Sequence, residues 1–316
     1  MVSVRRVGPD EYPVVAAIVN AVTPDSPTSA DELAWHEATY PGAARLLAEE
    51  SGRAVGAATA GRITMFESDF DAFWMSIEVL PDARRRGVGS ALYAAASDVA
   101  RAAGKVALHA PASAARPEGI AFLRHRGFTE YDRYKMLALE LAGATPPAVD
   151  PPAGISIVSL ADRPDLVPAV HAVAVETFPD IPTGGEPVAA ASLAEFRARD
   201  VDRPSIPPGG FAIALDETSG RVVGYASLVF LPASTTVAYN DMTAVSRPFR
   251  GRGIAVALKR ALVAWAIGAG LERIETGNDP ANEPMRAINA RLGYRPLTDQ
   301  VTYRGPLAPV AAGAAR

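Results

Sequence analysis

Two short stretches carry residue types that can hold an anion: Arg84-Arg85-Arg86-Gly87-Val88-Gly89-Ser90 and Arg250-Gly251-Arg252-Gly253-Ile254-Ala255. Both have the form Arg-x-x-Gly-x-Gly/Ala. Small residues let a backbone approach an anion closely, and a helix beginning there points unpaired N–H groups and a partial positive charge at it. A diphosphate is the natural ligand, and the flanking arginines add charge. The bland alternative is a tight strand-to-helix connection. Neither stretch is a P-loop, since the Gly-Lys-Ser/Thr ending is absent, and neither carries the third glycine of the dinucleotide fingerprint.

Candidates for proton transfer are few. Asp241, in Tyr239-Asn240-Asp241-Met242, is the best-placed carboxylate of the second half, and Glu176, in Glu176-Thr177-Phe178-Pro179-Asp180, is the other. Each has a plain reading as a solvated charge. The histidines are His36, His109, His125 and His171, without metal-ligand spacing, and there is no cysteine. Cysteine nucleophiles and zinc-thiolate sites are excluded, a Ser-His-Asp or Cys-His hydrolase is disfavoured, and no metal is expected.

These residues sit in a duplicated chain. Val79 matches Val245, Arg84 matches Arg250, Gly87 matches Gly253, Leu92 matches Leu258, Gly104 matches Gly270, and Gly127-Phe128 matches Gly293-Tyr294, all at an offset of 166 residues. Upstream, Gly52-Arg53 matches Gly220-Arg221 at 168, a two-residue slip. Between the halves, residues 142–154 hold four prolines among small residues and read as a linker. This organisation predicts domains at 1–141 and 155–308 and a flexible tail at 309–316. In each half a β-like opening precedes one or two helices and a hairpin around the Gly-Arg turn. A strand then ends at Val79 or Val245, and the glycine turn opens a helix whose apolar positions, such as Leu258, Leu262 and Trp265, have helical spacing. A short strand, a further helix and a last strand close the unit. The expected class is α+β, a mixed α/β three-layer arrangement built twice.

The constellation resembles the GNAT acetyltransferase superfamily, most closely over 239–297 and also over 74–130. The carrying segments are Thr243 to Ala255, Thr276 to Asn282 and Ile288 to Tyr294. The resemblance implies two tandem acyl-CoA N-acyltransferase folds with acetyl-CoA as cosubstrate. Arg250, Gly251, Arg252, Gly253, Ile254, Ala255 and Val256 would cradle the CoA diphosphate. Arg84, Arg85, Arg86, Gly87, Val88, Gly89 and Ser90 are the matching positions of the first copy. Thr243, Ala244 and Val245 would run beside the pantetheine arm, one of their backbone N–H groups polarising the thioester carbonyl; Ile77, Glu78 and Val79 are their counterparts. Asn278 would lie on the neighbouring strand, which splays apart to admit the cofactor. Asn282 and Asn289 would contact the pantetheine or the sulfur region. Asp241, with Glu176 as second option, would take the proton from the attacking ammonium.

The chain departs from the family pattern at one place. Many members carry a Tyr four residues before the Gly of the Gly-Phe/Tyr pair; here the residues are Asn289 and Leu123. Either the thiolate leaves unaided or another group, such as Tyr239 or Tyr294, protonates it. The first copy has lost more: it carries Met75, Ala112 and Arg116 where the second has Asp241, Asn278 and Asn282, and its Glu78 is expected to pair with the local arginines. The reading is one working site and one vestigial or structural site. The reaction implied is N-acetylation of a primary amine on a small molecule or peptide; the competing class is a non-catalytic acyl-CoA-binding or sensing protein. With a net charge of −4, 49% hydrophobic residues and no extended basic run, nucleic acid is not an expected partner. No apolar run is long enough to span a bilayer, and the N-terminus has charge where a signal peptide needs its apolar stretch, so a cytoplasmic protein without membrane contact is expected. Monomer, with its copies as a pseudo-dimer, and homodimer both remain open. Prolines at 179, 182, 187, 204, 207 and 208 mark loops for an acceptor lid or plain connections.

Overall fold

The computed structural model describes residues 2–24, 26–40, 42–67, 69–182, 188, 190–231 and 234–310. Pro187 and most of the expected tail, 311–316, lie outside the described residues. In chain order the strands and α-helices are β1 (Val2–Arg6), α1 (Tyr12–Val22), α2 (Ala30–Thr39), β2 (Ala44–Glu50), β3 (Arg53–Arg62), β4 (Ala72–Val79), α3 (Val88–Ala102), β5 (Ala107–Ser113), α4 (Pro117–Arg124) and β6 (Thr129–Glu140). The second half continues with β7 (Ile155–Ser159), α5 (Val167–Thr177), α6 (Leu193–Asp200), β8 (Phe211–Asp216), β9 (Val222–Phe230), β10 (Val237–Val245), α7 (Ile254–Gly268), β11 (Arg273–Asn278), α8 (Glu283–Arg291), β12 (Arg295–Pro296) and β13 (Gln300–Pro306).

The chain forms two compact units, and their division is not the one the linker suggests. The first unit runs to Arg133 and regains the chain at Asp299; the second spans Tyr134–Thr298. The boundaries expected at 141 and 155 therefore shift, because the closing strand of each half serves the other. β13 pairs antiparallel with β5, from Gln300 against Ser113 to Pro306 against Ala107. β6 pairs antiparallel with β11, from Glu140 against Arg273 to Lys135 against Asn278. The proline-rich stretch has no helix or strand, as its composition dictates, but it lies inside the second unit.

In the first unit the strand order is β1-β2-β3-β4-β5-β13, antiparallel except for β4 beside β5. Alternate residues of β2 and β3 face opposite ways, as pleating requires. Leu46, Ala48 and Ala58 join the core under α3, whereas Leu47 and Ala57 meet Val15 and Ile18 of α1. The second unit is ordered β6-β11-β10-β9-β8-β7, with β12 against β6 and β10 beside β11 the parallel pair. Ala212, Ala214 and Ala226 pack under Leu258 and Leu262 of α7. On the other face Phe211 stacks on Tyr225 at 5.6 Å, with Phe196 of α6 edge-on. Each unit is thus a mixed α+β fold, a sheet between helices, as the sequence implied.

The helix after the glycine turn docks closely on its sheet in both units. A Cβ on Gly56 would lie 2.9 Å from the Glu78 carbonyl and 3.1 Å from Leu92, and one on Gly224 would lie 2.8 Å from the Ala244 carbonyl and 3.3 Å from Leu258. The absent side chains set how near α3 and α7 come to their strands.

Candidate functional site

Ser29, Ser192 and Asn282 cap α2, α6 and α8 by accepting from the N–H three residues on. α3 and α7 start instead from Gly87 and Gly253 with no side-chain cap. Those glycines are left-handed, with φ of 88° and 87°. Two residues earlier Arg85 (φ 61°) and Gly251 (φ 76°) are left-handed as well. Alternation of this kind turns successive N–H groups inward as an anion-binding nest. A Cβ on Gly87, Gly251 or Gly253 would meet nothing within 4 Å, so the glycines serve conformation and the space above each turn is open. The strain of a left-handed arginine at Arg85, about 1 kcal/mol, is accepted to keep the same path as Gly251.

The turn arginines are partly committed to the protein. Arg250 donates through Nε to the Val245 carbonyl and Arg84 to that of Val79. In the second unit Asp180 accepts from Arg247 at 2.8 Å and from Arg250 at 2.6 Å, and these bonds hold its carboxyl down at about 2. Glu176 accepts the backbone N–H of Arg247 at 2.6 Å. The candidate base of α5 thus anchors the loop after β10. In the first unit Arg86 pairs with Glu50 and Arg84 lies 3.7 Å from Glu118. Glu78 therefore does not pair with the turn arginines as expected: Ser76 Oγ is its hydrogen-bond partner at 3.3 Å, Arg116 acts at longer range, and burial pushes its carboxyl up to about 7.

Between the turns and the sheet, both units open a fork. β10 and β11 pair in parallel only from Val237–Arg273 to Tyr239–Glu275; Thr243, Ala244 and Val245 bond on one side to Ala226, Tyr225 and Gly224 of β9. In the first unit β4 and β5 pair only from Ala72–Ala107 to Trp74–His109, leaving Ile77, Glu78 and Val79 paired on one side to β3. Each fork thus leaves a strand edge with N–H and C=O groups available to an extended ligand.

The second fork has a feature that the first lacks. β10 carries a bulge: Asn240 faces Leu228 and Met242 faces Ser227, so Asp241 is the extra residue. β4 against β3 keeps its register throughout. Asp241 retains contact with solvent. Its carboxyl is nonetheless raised above the usual carboxylate range, first by the protein around it and then by Asp200, against Arg203 and Arg199. Asp241 is nonetheless exposed at the bulge, so its side chain is open to solvent beside the fork.

The remaining expected residues divide. Asn278, at the end of β11, accepts from Asn289 Nδ2 at 2.6 Å; Asn289 is fully buried, so it bears on the fork through Asn278. Asn282 is occupied as the cap of α8, Oδ1 to Met285 N–H at 3.3 Å. Tyr294 is a core residue beneath Lys259. Tyr239 stands at the last paired position of the fork with its hydroxyl against the Gly277 backbone, 2.8 Å from where a Cβ would be. Burial, and then Asp241, keep it protonated far above neutral pH. Three side chains bonded around the turn and fork are not singled out by the sequence: Asp180, Asn240 and Lys259. A signal existed for the last, since a lysine on the buried stripe of Val263 and Ala266 breaks the apolar pattern of α7.

Among the described residues no cluster of three or more His, Asp or Glu could hold a metal, and no helix is long and apolar enough to cross a membrane. The sequence model of the Acetyltransferase (GNAT) family matches residues 14–128 and 169–294. No curated protein matches the chain. Among solved structures, a tandem GNAT protein from the clavulanic acid biosynthesis pathway superposes with a TM-score of 0.79 at 22% identity, over 98% of this chain and 100% of that one. A GCN5-related N-acetyltransferase from Sphaerobacter thermophilus gives 0.73 at 18% identity, over 98% and 96%. The glucosamine N-acetyltransferase region of a fungal multi-domain β-N-acetylglucosaminidase gives 0.72 at 15%, over 96% of this chain and 38% of that one.

Proposed function

The chain belongs to the Acetyltransferase (GNAT) family, and on that premise we propose that its second unit transfers acetyl from acetyl-CoA to a primary amine of a small molecule or peptide. Acyl transfer from an acyl-CoA is what membership carries. The acetyl group, the amine and the choice of unit are our reading. One observation carries it: the second fork opens beside a left-handed turn and has an accessible carboxylate, Asp241, on its bulge.

In this reading the N–H groups at Gly253, Ile254, Ala255 and Val256 hold the diphosphate, with Arg252 and the outer nitrogens of Arg250 adding charge. The free edge of Thr243, Ala244 and Val245 aligns the pantetheine arm, and a backbone N–H there stabilises the oxyanion as the amine attacks the thioester carbon. Asp241 accepts the proton that the nitrogen loses, directly or through one water. The C–S bond then breaks, and the thiolate takes up a proton from Tyr239, the tyrosine at the fork, or from solvent. Asp180 and Glu176 hold the turn in shape, and Asn278 with Asn289 ties the end of β11 to α8. The first unit, with Met75 in place of Asp241 and no bulge, serves as a second acyl-CoA holder or as framework.

Thiol release from acetyl-CoA, measured with a broad panel of primary amines, tests this. Amine-dependent release supports transfer; tight acetyl-CoA binding without release for every amine would establish a sensing module instead.

A further inference from the structure

α7 buries a lysine. Lys259 is 2% exposed and Asn240 3%, and the Lys259 ammonium donates to Asn240 Oδ1. From the other end of the same side chain, Asn240 Nδ2 donates to the carbonyls of Ser227 and Met242, both at 3.0 Å. Ser227 and Met242 are the first pair to re-form after the bulge, so one amide spans the inserted residue. The Asn240 carbonyl in turn accepts from Thr276 Oγ1 at 3.2 Å, on β11 one residue past its last pairing with β10. The network therefore touches both arms of the fork at the point where they part.

The repeat provides an internal comparison. At the positions of Lys259 and Asn240 the first copy has Tyr93 and Trp74. Tyr93 donates instead to the Pro306 carbonyl at 2.6 Å, and β4 has no bulge. The buried pair and the bulge occur together in one unit and are missing together from the other. Burying an ammonium is costly, and an apolar side chain would fill the stripe of Val263 and Ala266 without that cost. The face of Tyr294, 5.2 Å away, offsets part of it.

We infer that Lys259 and Asn240 are a positioning pair that builds the β10 bulge and so sets where Asp241 stands and where the fork opens. This rests on Asp241 acting as the base. Burial brings the Lys259 ammonium down to about 7, in keeping with a group held for its hydrogen bond.

The test uses the full chain with Lys259→Met, Asn240→Asp and Asp241→Asn, reading kcat, KM, acetyl-CoA affinity, Tm and the acid limb of kcat/KM. Lys259→Met is expected to lower kcat by about 100-fold, the scale of an ångström-sized misplacement. Acetyl-CoA affinity should stay within about threefold, and Tm should hold or rise. The acid limb should also move toward an ordinary carboxylate, because a relaxed bulge lets Asp241 leave the setting made by Asp200, Arg199, Arg203, Tyr225 and Tyr239. Asn240→Asp keeps an acceptor for Lys259 but loses the donors that span the bulge, so a comparable fall in kcat is expected even if Lys259→Met proves poorly folded. Wild-type kcat in both positioning variants, with Asp241→Asn inactive, overturns the pair and leaves the base assignment standing. A kcat loss matched by equal losses of Tm and acetyl-CoA affinity, with the acid limb unmoved, overturns it too. Full activity in Asp241→Asn overturns the base assignment and the pair's purpose with it.

Discussion

Arg250 reaches back along its own turn and donates through Nε to the carbonyl of Val245 at 3.0 Å, as Arg84 does to Val79 at 3.1 Å. The arginine thus closes the loop onto the strand end and holds the shape that aims the helix N-terminus. Charge and architecture reside in one side chain.

That dual use separates two substitutions. Arg250→Lys keeps the charge but not the planar fork that bonds strand end and ligand together. We expect it to weaken acetyl-CoA binding about tenfold, close to the loss in Arg250→Ala. Calorimetric titration of acetyl-CoA checks this; wild-type affinity in Arg250→Lys would mean that only the charge matters.

Glu78 gives a pH-dependent prediction. Folding raises its carboxyl from 4.5 to about 7, so the folded state binds the proton more tightly than the unfolded chain. The penalty is absent below the unfolded pKa, grows as pH rises and is complete above about 7. Glu78→Gln should therefore stabilise the chain by about 2 kcal/mol at alkaline pH, allowing for the residue's partial contact with solvent, and by almost nothing in acid. Denaturant unfolding at both pH values checks it, and equal effects in the two would contradict it.

The exchanged strands predict how the halves behave apart. A fragment of residues 1–141 lacks β13, whose Val301 and Tyr303 are 1% exposed in the first unit's core. Their burial is worth about 2 kcal/mol each. A fragment of residues 142–316 lacks the β6 partner of β11. Neither should unfold cooperatively alone, whereas the two mixed should regain a single transition by circular dichroism. A cooperative, wild-type-like transition in the isolated 1–141 fragment would contradict the exchange.

What the sequence disclosed and what it withheld follow from locality. The two turns were legible because glycine at 87, 251 and 253 answers a local backbone demand, and the constant offset marked the duplication. The fork was expected from family likeness at Thr243 to Val245 and Asn278. The strand exchange was invisible, because which edge β13 joins depends on surfaces far from it in sequence. Nothing in the sequence around Glu176 shows that its carboxylate accepts from the Arg247 backbone, 71 residues away. Asp241 stands out in the sequence by its place before the strand end, but the bulge that carries it is spanned by Asn240, which Lys259 bonds from 19 residues further on, in α7. Tyr294 and Asn289 were ambiguous for the same reason: burial, which sent one to the core and the other behind Asn278, is a property of the assembled fold.

In the proposed reaction the proton leaves the amine at Asp241 of the second unit. Single-turnover acetyl transfer from acetyl-CoA to an accepted primary amine, followed for the wild-type chain and Asp241→Asn, isolates that step. Asp241→Asn should react about 10²–10³-fold more slowly, as for loss of a general base, with acetyl-CoA affinity unchanged, and the wild-type rate should fall as pH drops below the raised carboxyl of Asp241. An Asp241→Asn chain that transfers acetyl at the wild-type rate would contradict it.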